Sequence, residues 1–169
     1  PEHHRAGLRP AAAAEDLAQI RDVLAGAQRP VIFAGGGLEG GAAELRAVAE
    51  ALGAPVALNS RARGSLPYGH PLACVNARAS AFAEADVVLA LGVDWDFRAG
   101  YGRRFAPDVR IVQIDREAAR IGWNRAAHLG LAADPARVLG QLAQESAAFR
   151  ERAEWAARVA AMEAAAREQ

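Results

Sequence analysis

Apolar residues are spaced in two alternating ways along this chain. Short continuous apolar runs, typical of strands buried on both faces, alternate with stretches in which apolar residues recur every three or four positions, as in amphipathic helices. The runs predict five strands, at residues 31–34, 56–58, 87–91, 111–114 and 129–131.

The stretches between these runs predict the helices. Leu17, Ile20 and Leu24 share one face of a helix that begins near Ala11 and ends at Gly26. Further helices are predicted to end at Gly53, to cover residues 77–85, to begin at Asp134-Pro135 and to occupy residues 146–169. Aspartate followed by proline is a typical helix start, because the carboxylate caps free N–H groups and proline fits the first turn.

Strands that alternate with helices over short connections favour an α/β fold, namely a three-layer Rossmann-like parallel sheet with helices on both faces. Residues 1–10 are interpreted as a linker, 11–145 as the Rossmann-like domain and 146–169 as a helical connector. The chain starts at Pro1 rather than at methionine, so we interpret it as part of a longer protein.

Composition narrows the class of protein. Apolar residues make up 52% of the chain, charged residues 24%, and the formal net charge is zero. A nucleic-acid or anionic-membrane binder usually carries a basic excess, so we expect neither partner. No segment has the pattern of a signal peptide or a membrane helix, and we expect a cytoplasmic protein. Cys74 is the single cysteine, which excludes an intrachain disulfide and a cysteine-based zinc site.

A glycine-rich turn follows the first predicted strand. Residues 35–40 read Gly-Gly-Gly-Leu-Glu-Gly and match the pattern G-x-G-x-x-G between a strand and a helix. Glycine lets the backbone approach a phosphate, and a helix N-terminus supplies free N–H groups. Gly36 and Gly37 are therefore candidate cofactor-binding residues. The alternative is a tight turn that binds nothing.

The second strand lacks the acidic residue that a dinucleotide site uses to bind ribose. Residues 59–64 contain Arg61 and Arg63 instead. These arginines suit a 2′-phosphate, so an NAD(P)-binding Rossmann domain of an oxidoreductase stays an alternative. They also suit a solvated loop.

The ends of the later strands carry further candidates. Asp115, directly after the fourth strand, can accept hydrogen bonds from ribose hydroxyls or cap the following turn. Asp134 is predicted to cap a helix, which leaves room for an adenine contact through the backbone. Trp95 and Phe97 can stack on an adenine ring, although packing under the loop is the favoured interpretation for each. No serine, cysteine or carboxylate is spaced to form a triad with a histidine, so we predict no catalytic residue and no metal site.

Seven segments within about residues 11–143 carry a resemblance to a known family, namely 29–37, 51–56, 64–72, 85–92, 105–109, 112–115 and 121–125. In register, they resemble the central domain of thiamine-diphosphate-dependent enzymes, the superfamily of acetolactate synthases, pyruvate oxidases, oxalyl-CoA decarboxylases, 2-hydroxyacyl-CoA lyases and benzaldehyde lyases. The residues around Trp95 and at 105–108 are most similar to the acyl-CoA branch.

The resemblance implies that this domain performs no chemistry by itself. In the family, thiamine diphosphate and Mg²⁺ lie between an N-terminal pyrimidine-binding domain and a C-terminal diphosphate-binding domain, in a homo-oligomer. The activating glutamate and the Gly-Asp-Gly…Asn metal-binding run belong to those domains. The resemblance therefore implies a structural or assembly role within a lyase or transferase that acts on 2-keto acids or 2-hydroxyacyl-CoA compounds.

Some members of the family bind FAD or ADP in the central domain. The positions that carry over are Gly36, Gly37, Asp115 and Asp134. Nucleotide-binding members often have Gly-Ala-Arg after the third strand, where this chain has Gly-Val-Asp at 92–94. An anion at Asp94 would repel a diphosphate, and Arg98 is the candidate replacement for the missing cation.

Overall fold

The computed structural model describes residues 8–168 and contains a five-stranded parallel sheet. Its strand order is β2-β1-β3-β4-β5, a doubly wound order. β2 is added on one side of β1 and the later strands on the other, so the strand order reverses between β1 and β3. The predicted strands are confirmed, each within two residues at either end. They are β1 Pro30–Ala34, β2 Val56–Leu58, β3 Val87–Leu91, β4 Arg110–Asp115 and β5 Leu129–Ala132.

Helices cover both faces of the sheet, which confirms the predicted three-layer α/β fold. Short 3₁₀ turns occupy parts of the connecting loops. The helices are α1 Ala14–Ala25, α2 Ala42–Leu52, α3 Arg78–Glu84, α4 Pro135–Gln144 and α5 Ala153–Arg167.

The two faces have different cores, because successive strand residues point to opposite sides of the sheet. In β1, Ile32 belongs to an aliphatic core under α1, α2 and α4, whereas Phe33 belongs to an aromatic core under α3 and α5. In the aromatic core the Phe82 and Phe105 rings stack with centroids 4.3 Å apart, and Trp95 meets Phe105 edge to face at 5.8 Å. The loop after β3 is thereby held by its own aromatic residues.

Helix α5 packs on the aromatic core. Trp155 is buried there, and its indole N–H donates to the Pro30 carbonyl at the start of β1 over 2.9 Å. Two turns later, the Glu163 carboxylate accepts hydrogen bonds from three successive backbone N–H groups, at residues 75–77, and from the Asn76 side chain. The segment predicted as a connector therefore contributes a covering layer to this sheet.

Backbone atoms of two loops touch where β1 and β3 end. The Gly37 N–H donates to the Gly92 carbonyl over 2.9 Å, and the Gly35 N–H donates to Leu91 at the same distance. A Cβ on Gly92 would lie 2.4 Å from the Gly37 carbonyl carbon, and Gly92 has φ of +57°. Only glycine satisfies both conditions at this position.

At the N-terminal end, residues 1–7 of the predicted linker lie outside the described residues. Arg9 and Pro10 already contact the start of α4 through Asp134. No helix within residues 8–168 is long and apolar enough to cross a membrane.

Replacing Glu163 with Gln is expected to lower the free energy of unfolding by about 1–3 kcal/mol, because a charged acceptor of buried N–H groups is lost. Urea unfolding of the purified chain measures the change. Glu154→Gln is the control, since Glu154 is an exposed glutamate in the first turn of the same helix. Equal losses in the two variants would contradict this role for Glu163.

The loss should depend on pH. Burial opposes ionisation of Glu163, but the N–H groups of residues 75–77 and the Asn76 amide outweigh it and lower the pKa below the usual glutamate range. A carboxylate with a lowered pKa stabilises the fold above its unfolded pKa of about 4.3. The difference between wild type and Glu163→Gln is therefore full at neutral pH and shrinks as the pH falls through about 4 and below.

The contact between the glycine loops can be separated from backbone strain by two alanine variants. Gly92→Ala is expected to cost at least about 3 kcal/mol of unfolding free energy, from overpacking and from left-handed backbone together. Gly122 has φ of +76° and no atom within 4 Å of its would-be Cβ. Gly122→Ala should therefore cost only the backbone part, about 1–2 kcal/mol. Similar costs for both variants would show that the contact matters little.

Candidate functional site

A cleft of about 410 Å³ lies at the carboxyl ends of β1 and β4, beside the reversal of strand order between β1 and β3. Ligands of open parallel sheets bind at such a reversal. Four of the five predicted site residues line this cleft, namely Gly36, Gly37, Arg98 and Asp115. The other lining residues are Ser60, Arg61, Asp94, Arg116, Glu117 and Arg120.

The glycine motif has two different uses. Gly35 and Gly37 are pressed against the loop after β3, where an added Cβ would lie within 2.7 Å of backbone atoms of Gly92. Gly36 faces the cleft, with the Ser60 side chain 3.7 Å from its would-be Cβ, which is an ordinary contact distance. Close packing thus explains Gly35 and Gly37, whereas Gly36 lines the cleft without such a contact.

Asp115 is the buried acidic group of the cleft, at 3% exposure. Its Oδ1 accepts the Glu117 N–H over 2.9 Å, which is the predicted capping contact. Its Oδ2 is buried and has no hydrogen-bond partner among the described residues. Burial raises the pKa of Asp115 above the usual aspartate range, against the opposing effects of the Glu117 N–H and the Arg120 charge. Among the described residues, the cleft therefore contains one buried side-chain acceptor without a donor.

The arginines of the cleft are paired with carboxylates. Arg116 and Arg61 both reach Glu39, at 3.0 and 3.3 Å, and Arg98 donates to Asp96 over 2.6 and 2.8 Å. Because these ion pairs are partly exposed, an anionic ligand can compete for the arginines at modest cost.

Asp94, which stands where nucleotide-binding relatives were expected to have arginine, is paired with an arginine that it shares with Glu117. The Arg120 guanidinium lies 2.8 Å from the Asp94 carboxylate and 3.0 Å from that of Glu117. The backbone at Arg120 is fixed by Gln113 in β4, whose amide donates to the Arg120 carbonyl over 3.0 Å. The expected repulsion of a diphosphate by Asp94 is thereby reduced.

Asp134 lies outside this cleft. Its Oδ1 accepts the N–H groups of Ala136 and Arg137 at the start of α4, and its Oδ2 lies 2.5 Å from the Arg9 guanidinium. The predicted capping role is confirmed. Both carboxylate oxygens of Asp134 already have partners, so the side chain is not available to adenine. The adenine contact through the backbone stays a prediction.

Three interpretations of aromatic and cysteine side chains are now settled. Trp95 is buried in the aromatic core, so its predicted packing under the loop is confirmed. The same prediction is wrong for Phe97, which is 70% exposed beside Arg98. Cys74 is buried as predicted, and burial raises the pKa of its thiol to about 12.

Sequence reasoning missed the ion pairs that organise the cleft. Arg116 and Arg120 lie within five residues of the end of β4, but their partners Glu39 and Asp94 come from the loops after β1 and β3. The sequence could have shown only that each of these residues closely follows a strand and therefore lies at the same edge of the sheet. Which charges would meet depends on loop conformation, which apolar spacing does not encode.

The chemistry of the cleft is that of arginines and carboxylates. Its ten lining residues include one serine and no histidine, cysteine or lysine. Within residues 8–168 there is no group of three or more His, Cys, Asp or Glu residues that could hold a metal ion.

Comparison with known proteins identifies relatives of this domain. The family described as thiamine pyrophosphate enzyme, central domain, matches residues 17–142. Acetolactate synthase large subunit IlvG of Mycobacterium tuberculosis is 38% identical over 136 residues, which cover 79% of this chain and 25% of that protein. Acetolactate synthase isozyme 1 large subunit of Escherichia coli is 32% identical over 154 residues, which cover 86% of this chain and 27% of that protein.

A third relative is archaeal. The probable acetolactate synthase large subunit of Methanocaldococcus jannaschii is 36% identical over 130 residues, which cover 71% of this chain and 22% of that protein. The chain thus spans about a quarter of the length of these curated relatives. The family match covers most of the sheet and its helices, and the chain belongs to the thiamine pyrophosphate enzyme central-domain family.

Proposed function

We propose that this chain is the central domain of a multidomain thiamine-diphosphate-dependent enzyme of the acetolactate synthase type. In that enzyme it holds the catalytic domains in place and binds the ADP portion of FAD, or ADP itself, in the cleft at the end of β4. The observation that carries the nucleotide proposal is the buried, unpartnered Oδ2 of Asp115 in a cleft that Gly36 leaves open.

The type of enzyme is supported by the relatives, which are named acetolactate synthases. They favour that branch over the acyl-CoA branch suggested by the residues around Trp95. Thiamine diphosphate supplies an electron sink for carbanions formed from 2-keto acids. The described residues offer no cluster of ligands for its Mg²⁺, so the cofactor would be held by other domains of a homo-oligomer.

The donors and acceptors of the cleft are compatible with an adenine nucleotide. A buried carboxylate oxygen that lacks a donor suits a ribose hydroxyl, because that contact would satisfy it. Arg98 and Arg116 lie on the same cleft and could exchange their carboxylate partners for a diphosphate.

The alternative, an NAD(P)-binding domain of an oxidoreductase, rested on the glycine motif and on the pair Arg61 and Arg63. Two glycines of the motif have a packing role, as their contacts with Gly92 indicate. Arg61 lines the cleft, whereas Arg63 lines a different pocket. Neither observation favours a dinucleotide.

An assembly role is supported by exposed aromatic residues at the carboxyl edge of the sheet. Phe97, Tyr101 and Trp123 are exposed, and their two loops are tied together by the Asn124 side-chain amide, which donates to the Trp95 carbonyl over 3.0 Å. Large apolar side chains grouped on a surface are typical of contact sites. We propose that other domains of the enzyme cover them.

Replacing Asp115 with Asn tests the nucleotide cleft. With ADP and FAD we expect a melting temperature that rises with ligand concentration, and at least about tenfold weaker binding in Asp115→Asn, since a charge-assisted hydrogen bond is lost. Differential scanning fluorimetry with ADP, FAD and NADP⁺ gives the comparison.

Asp16→Asn is the matched control, because it removes the same charge from an exposed position in α1 and should leave binding unchanged. Absence of any ADP or FAD shift in the wild-type chain would refute the nucleotide cleft. A shift with NADP⁺ alone would support the oxidoreductase alternative instead.

Replacing Trp123 with Ser tests the assembly role. In the isolated chain the variant should change the unfolding free energy by less than about 0.5 kcal/mol, since Trp123 is 67% exposed. We also expect the isolated chain to show no turnover of a 2-keto acid with thiamine diphosphate and Mg²⁺. In the complete enzyme the same variant should weaken assembly, as measured by light scattering and activity. Normal assembly and activity would contradict the role, and turnover by the isolated chain would overturn the proposed function.

A further inference from the structure

A second pocket lies beside the edge strand β2, and we call it the edge pocket. It encloses about 400 Å³, which is within the usual range for small-molecule sites. Its lining includes the apolar side chains Leu58, Leu66 and Cys74 together with two arginines, Arg63 and Arg78. None of these residues lines the proposed nucleotide cleft.

The two arginines of the edge pocket differ from those of the nucleotide cleft because they lack partners. Within residues 8–168, neither Arg63 nor Arg78 lies within 4.0 Å of a carboxylate oxygen. Their guanidinium groups also donate no hydrogen bond to any of these residues. A third arginine, Arg104, likewise has no carboxylate within 4.0 Å among residues 8–168. Burial is the main cause that lowers the pKa of Arg78, and the positive charges of Arg104 and Arg63 lower it further.

Neighbouring cations without an anion between them repel one another, and together with burial this disfavours the charged form of Arg78. Burial and, after it, the charge of Glu163 raise the pKa of the Cys74 thiol, so Glu163 is the carboxylate of α5 that lies near the pocket. Its oxygens already accept four hydrogen bonds from residues 75–77 and lie 3.5 Å from Arg167. It therefore leaves the charge of the cluster uncompensated.

We propose that the edge pocket binds a small organic anion whose phosphate or carboxylate group lies between Arg63 and Arg78. The apolar body of the ligand would lie against Leu58 and Leu66, with the exposed Tyr68 ring at the rim. Arginine suits both head groups, because its planar fork donates two parallel hydrogen bonds to either. The apolar lining selects an organic anion over inorganic phosphate, since it gains free energy only from an apolar group.

The proposal is tested by titrating the 169-residue chain with phenyl phosphate, benzoate, inorganic phosphate and phenol, with isothermal calorimetry as the readout. We expect saturable binding of at least one aromatic anion at about 1 mM or below, and at least tenfold weaker binding of inorganic phosphate and phenol. Whichever of phenyl phosphate and benzoate binds more tightly identifies the preferred head group, phosphate or carboxylate.

The variant Arg63→Gln/Arg78→Gln should weaken binding of the aromatic anion at least about tenfold. Arg46→Gln is the matched control, because Arg46 is an exposed arginine on α2 outside the edge pocket, and it should bind as the wild type does. Asp115→Asn should also bind the aromatic anion normally, which separates this site from the nucleotide cleft.

A structural role for Arg78 would give a different result. Without ligand and at low salt, Arg78→Gln should keep or raise the melting temperature, because one of three mutually repelling charges is removed. The proposal is overturned if neither aromatic anion binds, if the double variant binds as tightly as the wild type, or if binding is lost in Asp115→Asn but kept in the double variant. A lower melting temperature of Arg78→Gln with unchanged affinity would also overturn it.

Discussion

Backbone atoms of the loops after β1 and β3 lie so close together that three positions of the contact have no room for a Cβ. Gly35 and Gly37 on one side and Gly92 on the other bring the exits of two adjacent strands together at the reversal of strand order. The cleft is the space left beside this contact, under Gly36. The same contact takes up the Gly37 N–H, which donates to Gly92 and is not free for a phosphate. One constraint thus positions the site and limits what its glycines can bind.

Much of the fold could be predicted from the sequence because its strands are buried on both faces. Every residue of β1 and β3 is buried, so each appears in the sequence as a continuous apolar run. The Asp134-Pro135 helix start was equally readable, since capping is a local interaction. The position of α5 was not, because alanines occupy most of its length and only Trp155, Val159 and Glu163 of this helix are buried.

The site could be predicted only in part. Parallel strands bring their carboxyl ends to one edge, which placed Gly36, Arg98 and Asp115 together correctly. Charge pairing was not readable, because the partners come from separate loops. Asp94 was expected to repel a diphosphate, and its pairing with Arg120, which Glu117 shares, was not foreseen. The spacing of Arg61 and Arg63 suggested a common ligand, but the chain directs them to different pockets.

Helix α5 bears on where this domain ends. The family match stops at residue 142, whereas the buried Trp155 and Val159 that cover the aromatic core follow it. A truncation at residue 142 would remove α5 and expose the aromatic core around Phe33 to water. It would also leave the Pro30 carbonyl without the Trp155 indole N–H that donates to it. Such a shortened protein would be prone to aggregate, so the end of the family match falls short of the end of the folded core.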